Sequence, residues 1–177
     1  GRRSAKAWML VAVGCLTMVS FVGAADGPVE PNQRESYRVV RPDVGGVVFS
    51  TWNQDGQRWT AVSKDGGSTW TQPRRMLDEI PLQAGVIVPN TMAPPVPKSL
   101  RAGEGNRVYL VQFETQSLAA WRARLEELGA EVLAYVPHNS HIVRMDPSLV
   151  AAVESELFVR WVGPYEPSYR TFPQLLA

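Results

Sequence analysis

Cysteine and histidine are scarce in this chain. Its 177 residues include one cysteine, Cys15, and two histidines, His138 and His141. A lone cysteine cannot close an intramolecular disulfide, and the two histidines flank one predicted turn without a third metal-ligating side chain nearby in sequence. We therefore expect no disulfide and no metal site, and we expect packing alone to hold the protein together.

Sequence patterns of catalytic sites are also lacking. The chain has no G-x-S-x-G and no Gly-rich phosphate loop. Ser140 precedes His141, but neighbours along a strand point to opposite faces, which excludes a nucleophile–base pair between them. The adjacent Glu126 and Glu127 fall on an exposed face of a predicted helix. We expect no catalytic residue and no cofactor, and we expect this chain not to be an enzyme.

Charge of one sign is not in excess, because the formal net charge is only +1. This balance excludes an electrostatic case for binding nucleic acid or an anionic membrane. With 45% hydrophobic and 20% charged residues, the composition is that of a globular protein. The length suffices for one domain or two small ones.

The first 25 residues have the features of an export signal. Three basic residues lie among the first six, residues 7–23 are uncharged and largely apolar, and the small residues Gly23 and Ala24 follow. A membrane anchor is the alternative, although the apolar run is at the lower limit of a span. Cleavage would leave 15 basic and 17 acidic residues, a formal charge of −2, and no cysteine. We expect a secreted or cell-envelope (periplasmic) protein without membrane contact after cleavage, as one piece of a longer precursor.

The remaining chain divides by composition into five segments. Proline and glycine concentrate between the segments with strand or helix patterns. We predict a polar leader at 26–45, a β-hairpin region at 46–87, a Pro-rich linker at 88–105, a folded domain at 106–165 and a tail at 166–177.

The hairpin region carries a recognisable turn motif. Residues 47–52 and 58–63 read as two strands around the turn residues 53–56. The motif S-x-D-x-G-x-T-W follows and resembles the Asp-box, a sialidase-type repeat. In such repeats the Asp accepts hydrogen bonds from its own turn and the Trp packs over the hairpin, which is a structural role. One repeat cannot build a propeller, so a truncated Asp-box glycosidase is only an alternative. The motif residues are Ser63, Asp65, Gly67, Thr69 and Trp70.

Residues 106–165 follow the order βαββαβ. Asp146 is predicted to cap the second helix, Thr115 or Ser117 to cap the first, and Gly129 to end it. The predicted strands are 107–113, 131–137, 141–145 and 158–165, and the helices are 116–128 and 146–156. This order predicts an α+β fold: a ferredoxin-like βαββαβ unit preceded by an Asp-box β-hairpin and a Pro-rich linker.

The predicted strands are apolar on both faces. Two one-sided helices can cover only one face of a four-stranded sheet, so we expect the other face to be open for docking. The Asp-box hairpin or a second copy of the unit could instead cover that face. Candidate docking residues, with the face not assigned, are Val108, Leu110, Leu133, Tyr135 and Val162.

The βαββαβ segment resembles the inhibitor-type propeptide of subtilisin-like serine peptidases. The resemblance rests on residues 109–113, 128–132, 135–139, 143–145 and 159–165. It implies a folding chaperone and temporary inhibitor that docks on a subtilisin-like protease domain in cis or in trans. It also implies an extended tail in the substrate cleft, with contacts from Tyr169, Phe172 and Leu175. A free-standing secreted binding module is the alternative function, and a simple linker is the alternative role of the tail.

Overall fold

The computed structural model describes residues 35–170, so the predicted export signal lies outside the described residues. Among these residues, no helix is long and apolar enough to cross a membrane. Short 3₁₀ turns occur at Lys98–Leu100, Pro147–Leu149 and Pro167–Arg170. The strands and helices are β1 (Glu35–Val40), β2 (Val48–Gln54), β3 (Gln57–Ser63), β4 (Arg74–Met76), β5 (Ile80–Leu82), β6 (Gly85–Ile87), β7 (Val108–Phe113), α1 (Ala119–Glu127), β8 (Glu131–Val136), β9 (Ser140–Arg144), α2 (Val150–Glu154) and β10 (Val159–Pro164).

The N-terminal sheet is antiparallel, with the order β1-β2-β3-β4. Strands β2 and β3 form the predicted hairpin, and Asp55 and Gly56 at its tip have φ values of 52° and 69°. Two successive positive φ angles match the right-handed twist of the flanking strands. The expectation of a loose leader over 26–45 is wrong for its second half, because residues 35–40 pair with β2 as strand β1.

The second sheet has the order β10-β7-β9-β8, and all neighbouring strands are antiparallel. Along the chain its elements follow the predicted order of strand, helix, strand, strand, helix, strand. His138 and Asn139 turn the chain between β8 and β9 with φ values of 62° and 60°. An α+β architecture with antiparallel sheets is therefore confirmed.

The helix ends agree only in part with prediction. Asp146 accepts a hydrogen bond from the Ser148 N–H at 3.0 Å, but it caps the 3₁₀ turn Pro147–Leu149 that leads into α2, and α2 itself has no side-chain cap. Gly129 has φ +94° after α1, as the predicted end of that helix requires. The prediction that Thr115 or Ser117 caps α1 is wrong, since the N-cap is Leu118 without a side-chain hydrogen bond. The hydroxyl of Ser117 is engaged elsewhere, with His141.

One hydrophobic core lies between the second sheet and its helices. Trp121 of α1 stacks on Phe158 with ring centroids 4.7 Å apart and an interplanar angle of 8°. Phe49 of the N-terminal sheet meets Trp121 edge-on at 6.2 Å, and Val62 belongs to the same cluster. The N-terminal sheet therefore shares this core with the βαββαβ unit.

A second core covers the opposite face of the same sheet. Ile80 of β5 and Ile87 of β6 pack with Leu110 and Val136. The expectation of an uncovered apolar face is wrong, because this short hairpin covers it. The alternative that the hairpin region covers the face is nearer to the structure, although the covering strands are β5 and β6 and not the Asp-box turn.

Tyr169 completes the second core and is 6% exposed. The expectation that the tail is extended from residue 166 is wrong over 167–170, which form a 3₁₀ turn. Tyr169 is therefore a core residue and not a free contact for a substrate cleft. The other two tail residues, Phe172 and Leu175, lie outside the described residues.

Charged side chains join the N-terminal sheet to the unit. Arg58 of β3 donates to Asp78 at 2.7 Å and to the Glu114 carboxylate at 3.0 Å. Arg38 also reaches Glu114 at 3.0 Å, and Arg160 of β10 reaches Asp78 at 2.8 Å. Arg58 and Glu114 each have only 13% of their side chains exposed, so the pair is screened little by water.

Candidate functional site

The five predicted docking residues do not share one surface. Leu110 is buried under β5 and β6, and Val162 is buried in the core below the helices. Val108 is half-buried. Leu133 and Tyr135 are exposed by 40% and 60%, and both belong to β8, which is an edge strand of its sheet. The exposed part of the predicted surface is therefore the β8 edge.

A polar pair lies beside this edge. The Ser117 Oγ is 2.8 Å from the His141 Nε2, and the Arg122 Nη1 donates to the same Oγ at 2.9 Å. Ser117 precedes α1, Arg122 lies within its second turn, and His141 is on β9 opposite Tyr135. Fold topology, and not sequence proximity, brings the three side chains together.

These polar groups form one wall of an open depression of about 380 Å³. The Tyr135 and His141 rings meet edge-on at 5.4 Å, and Phe113 lies on the other side of the imidazole at 5.1 Å. The rest of the lining is apolar and comes from β8: Val132, Leu133, Ala134 and Tyr135. The site thus has a charged side and an apolar side.

His141 is neutral at physiological pH. It is 3% exposed, and burial lowers its pKa from 6.5 to about 4. The Arg122 charge lowers the pKa further, whereas a hydrogen bond with the Ala134 backbone raises it in part. Because the guanidinium can only donate to the Ser117 Oγ, the hydroxyl proton is free to be donated to the His141 Nε2. The neutral imidazole then carries its own proton on Nδ1.

The lowered pKa of His141 makes its imidazole a weak general base for the Ser117 hydroxyl. A general base works best when its pKa is near the operating pH, and the pKa of His141 is lowered well below that. Arg122 has no carboxylate within ion-pair distance anywhere in residues 35–170. Over the same residues, no three His, Cys, Asp or Glu side chains are grouped to hold a metal ion.

The predicted turn motif folds into a hydrogen-bonded loop. The Asp65 carboxylate accepts from the Ser63 hydroxyl at 2.6 Å and from the Thr69 N–H and hydroxyl at 2.9 and 2.6 Å. These hydrogen bonds hold the Asp65 pKa well below its usual range. The Gly67 N–H donates to the Ser63 Oγ at 2.8 Å, and the half-buried Trp70 lies beside Gly67. The five motif residues are thus in one loop, whose contacts are structural.

Residues 81–166 match a family described as a domain of unknown function (DUF8729). The matched range begins within β5 and ends after β10, so it includes the covering hairpin except Ile80, together with the whole second sheet. No curated protein and no solved structure matches the chain.

Sequence reasoning missed the Ser117–His141 pair. It considered Ser140 as the neighbour of His141 and took Ser117 for a helix cap. The two residues are 24 positions apart, and their contact depends on which residue of β9 faces the helices. Alternation along β9 gives a usable signal, because His141 and Val143 share the face that packs on α1.

Proposed function

We propose that the βαββαβ unit is a ferredoxin-like propeptide domain of an exported subtilisin-like serine peptidase, acting as folding chaperone and temporary inhibitor. The observation that carries the proposal is the spatial strand order β10-β7-β9-β8, combined with the βαββαβ order of strands and helices along the chain. That order supports the proposal because it agrees with the split βαβ plan, which the sequence resemblance to the inhibitor-type propeptide implies.

The contact surface that fits this role is the β8 edge. Leu133 and Tyr135 are large apolar side chains exposed next to one another on a strand whose outer edge is unpaired within residues 35–170. Aromatic residues in such positions contribute a large share of binding energy at protein interfaces. The protease domain, in cis or in trans, is the partner that we assign to this edge.

The N-terminal sheet and the β5–β6 hairpin have a supporting role in this proposal. A unit of about 60 residues buries only about 60% of its unfolded surface and is marginal alone. Phe49 and Val62 add to one core, and Ile80 and Ile87 add to the other. We therefore expect the unit to be folded before it binds its protease. The Asp-box-type loop stabilises the N-terminal sheet, which in turn packs on the unit.

The test is inhibition of a broad-specificity subtilisin-type peptidase by the full chain, read as hydrolysis of a chromogenic peptide. We expect inhibition, and we expect Tyr135→Ala to raise the inhibition constant about tenfold or more. Leu157→Ala is the matched control, because Leu157 is exposed by 58% against 60% for Tyr135 but lies after α2. It should leave the inhibition constant unchanged.

The same preparation tests the chaperone role. Denatured peptidase should regain activity in higher yield when refolded with the full chain than without it. Inhibition that Tyr135→Ala and Leu157→Ala weaken equally would remove the β8 edge from the proposal. Absence of both inhibition and assisted refolding would favour the free-standing binding module.

A further inference from the structure

Arg122 is a charged group whose hydrogen bonds are mostly unused. It donates one hydrogen bond, to the Ser117 Oγ, and no carboxylate within residues 35–170 pairs with it. A guanidinium has five N–H donors in a planar fork. The Ser117 hydroxyl is used by the His141 Nε2, and the His141 Nδ1 is buried out of reach of a ligand, so the donors left for a ligand in this depression belong to Arg122.

The depression also offers an apolar wall within reach of that charge. Val132, Leu133 and Tyr135 come from one edge strand and line the same volume of about 380 Å³ as Arg122. This volume is at the small end of ligand sites and suits one amino-acid residue. One positive charge and a neutral imidazole call for a ligand with one negative charge.

We propose that this depression binds the C-terminal residue of a peptide, with its free carboxylate on Arg122 and its apolar side chain against the β8 wall. A guanidinium fork matches a carboxylate bidentately. Among the residues of a peptide, only the C-terminal one carries a free carboxylate and a side chain on the same carbon atom, which places both groups within one small cavity. The unpaired edge of β8 can take the preceding peptide backbone by strand addition.

This site goes beyond the proposed inhibition and does not depend on it, because the ligand is a short peptide and not the protease domain. The experiment therefore contains no peptidase. The ¹⁵N-labelled full chain is titrated with acetyl-Leu-Phe and with its C-terminal amide, which differ only in the carboxylate. A third probe, acetyl-Phe-Glu-amide, carries its carboxylate on a side chain.

We expect the free acid to shift the backbone resonances of Ser117, Arg122, Leu133 and Tyr135. The amide and the side-chain acid should bind at least about tenfold more weakly than the free acid. Arg122→Gln should weaken binding of the free acid by a similar factor, and Arg122→Lys should weaken it less. Arg75→Gln is the matched control, because Arg75 is exposed on β4 and has no ion-pair partner among residues 35–170. This variant should bind the free acid with unchanged affinity.

Four results would overturn the proposal. The first is no resonance shift with the free acid, and the second is equal affinity for acid and amide. The third is unchanged affinity in Arg122→Gln with a wild-type spectrum elsewhere. The fourth is a stronger response to acetyl-Phe-Glu-amide, which would assign the site to acidic side chains instead of chain ends. Inhibition of a peptidase, or its absence, changes none of these outcomes.

Discussion

At the scale of single residues, His141 shows how burial and function are linked in this protein. Its imidazole is enclosed by Phe113 and Tyr135 and is next to the Arg122 charge. A charged imidazole in this position would lose water and face a second cation. The neutral form therefore belongs to the folded state, which makes the stability of the fold depend on pH.

The first prediction concerns that dependence. Because the folded pKa of His141, about 4, is below its ordinary 6.5, the unfolded chain binds more protons between these two values. Stability should therefore fall as pH falls from 6.5 to 4, by up to about 3 kcal/mol from this residue. Urea unfolding across that range measures it, with His141→Asn as the variant. Parallel pH profiles for wild type and variant would contradict the assignment.

The second prediction concerns Gly163 in β10. The Trp161 indole lies so close over Gly163 that a Cβ atom there would overlap the ring. Gly163→Ala should therefore force Trp161 out of the second core and destabilise the protein by about 1–3 kcal/mol. Gly105→Ala is the control, since nothing lies within 4 Å of its Cβ position. Equal midpoints of chemical unfolding for the two variants would show that the indole moves at no cost.

At the scale of elements, the contact between the N-terminal sheet and the unit depends on a largely buried ion pair. Glu114→Gln removes the carboxylate that meets both Arg58 and Arg38, and we expect it to cost about 2–3 kcal/mol. Glu131→Gln is the matched change in an exposed pair with Arg144, which should cost less than about 1 kcal/mol. Thermal or urea unfolding compares the stability losses of the two variants. Equal losses would mean that water reaches the ion pair between the N-terminal sheet and the unit.

The covering hairpin provides the fourth prediction. Ile87 is 2% exposed, whereas its neighbour Val86 is 41% exposed. Ile87→Ala should destabilise the protein by about 2–5 kcal/mol and increase the binding of an apolar dye, because the sheet face under β6 loosens. Val86→Ala should do neither. A fragment that starts at residue 105 should bind the dye more strongly still, and failure to bind it would mean that the face needs no cover.

The sequence predicts those elements whose own residues favour a strand or helix, and it misses those that depend on tertiary contacts. Strands β7 to β10 have enough β-branched and aromatic residues to be recognised one by one, and the turn at His138 and Asn139 indicates the pairing of β8 with β9. Strands β5 and β6 have three residues each, and Pro81 and Gly85 argue locally against a strand. They are strands because Ile80 and Ile87 bury themselves on the sheet, a tertiary effect that no local pattern contains.

The candidate site was harder to predict than the fold. Leu133 and Tyr135 stood out as apolar residues of a predicted strand, but only the strand order shows that β8 is at an edge. Ser117 looks like a helix cap in sequence, and its partner His141 follows from register. The predicted group of five docking residues mixed both faces of the sheet, since alternation alone does not say which face is covered.

At the scale of the whole molecule, the tail provides the last prediction. Tyr169 belongs to the second core, so a chain that ends after Arg170 keeps the fold, whereas one that ends at Tyr165 loses part of that core. If residues 171–177 occupy a protease cleft, ending the chain after Arg170 should weaken inhibition at least tenfold with unchanged unfolding. Equal inhibition constants would leave the β8 edge as the inhibitory surface.

Strand β10 closes both cores at once. Val159 and Val162 of β10, with the preceding Phe158, enter the core below the helices. Trp161 of β10, with the following Tyr165, enters the one under the hairpin. A chain that leaves a ribosome or an export channel from its N-terminus delivers β10 last among the ten strands of residues 35–170. Before that point both apolar layers lack a wall, so we expect no stable partial fold during synthesis. We therefore expect the βαββαβ unit to become stable only when nearly all of the described residues have been synthesised.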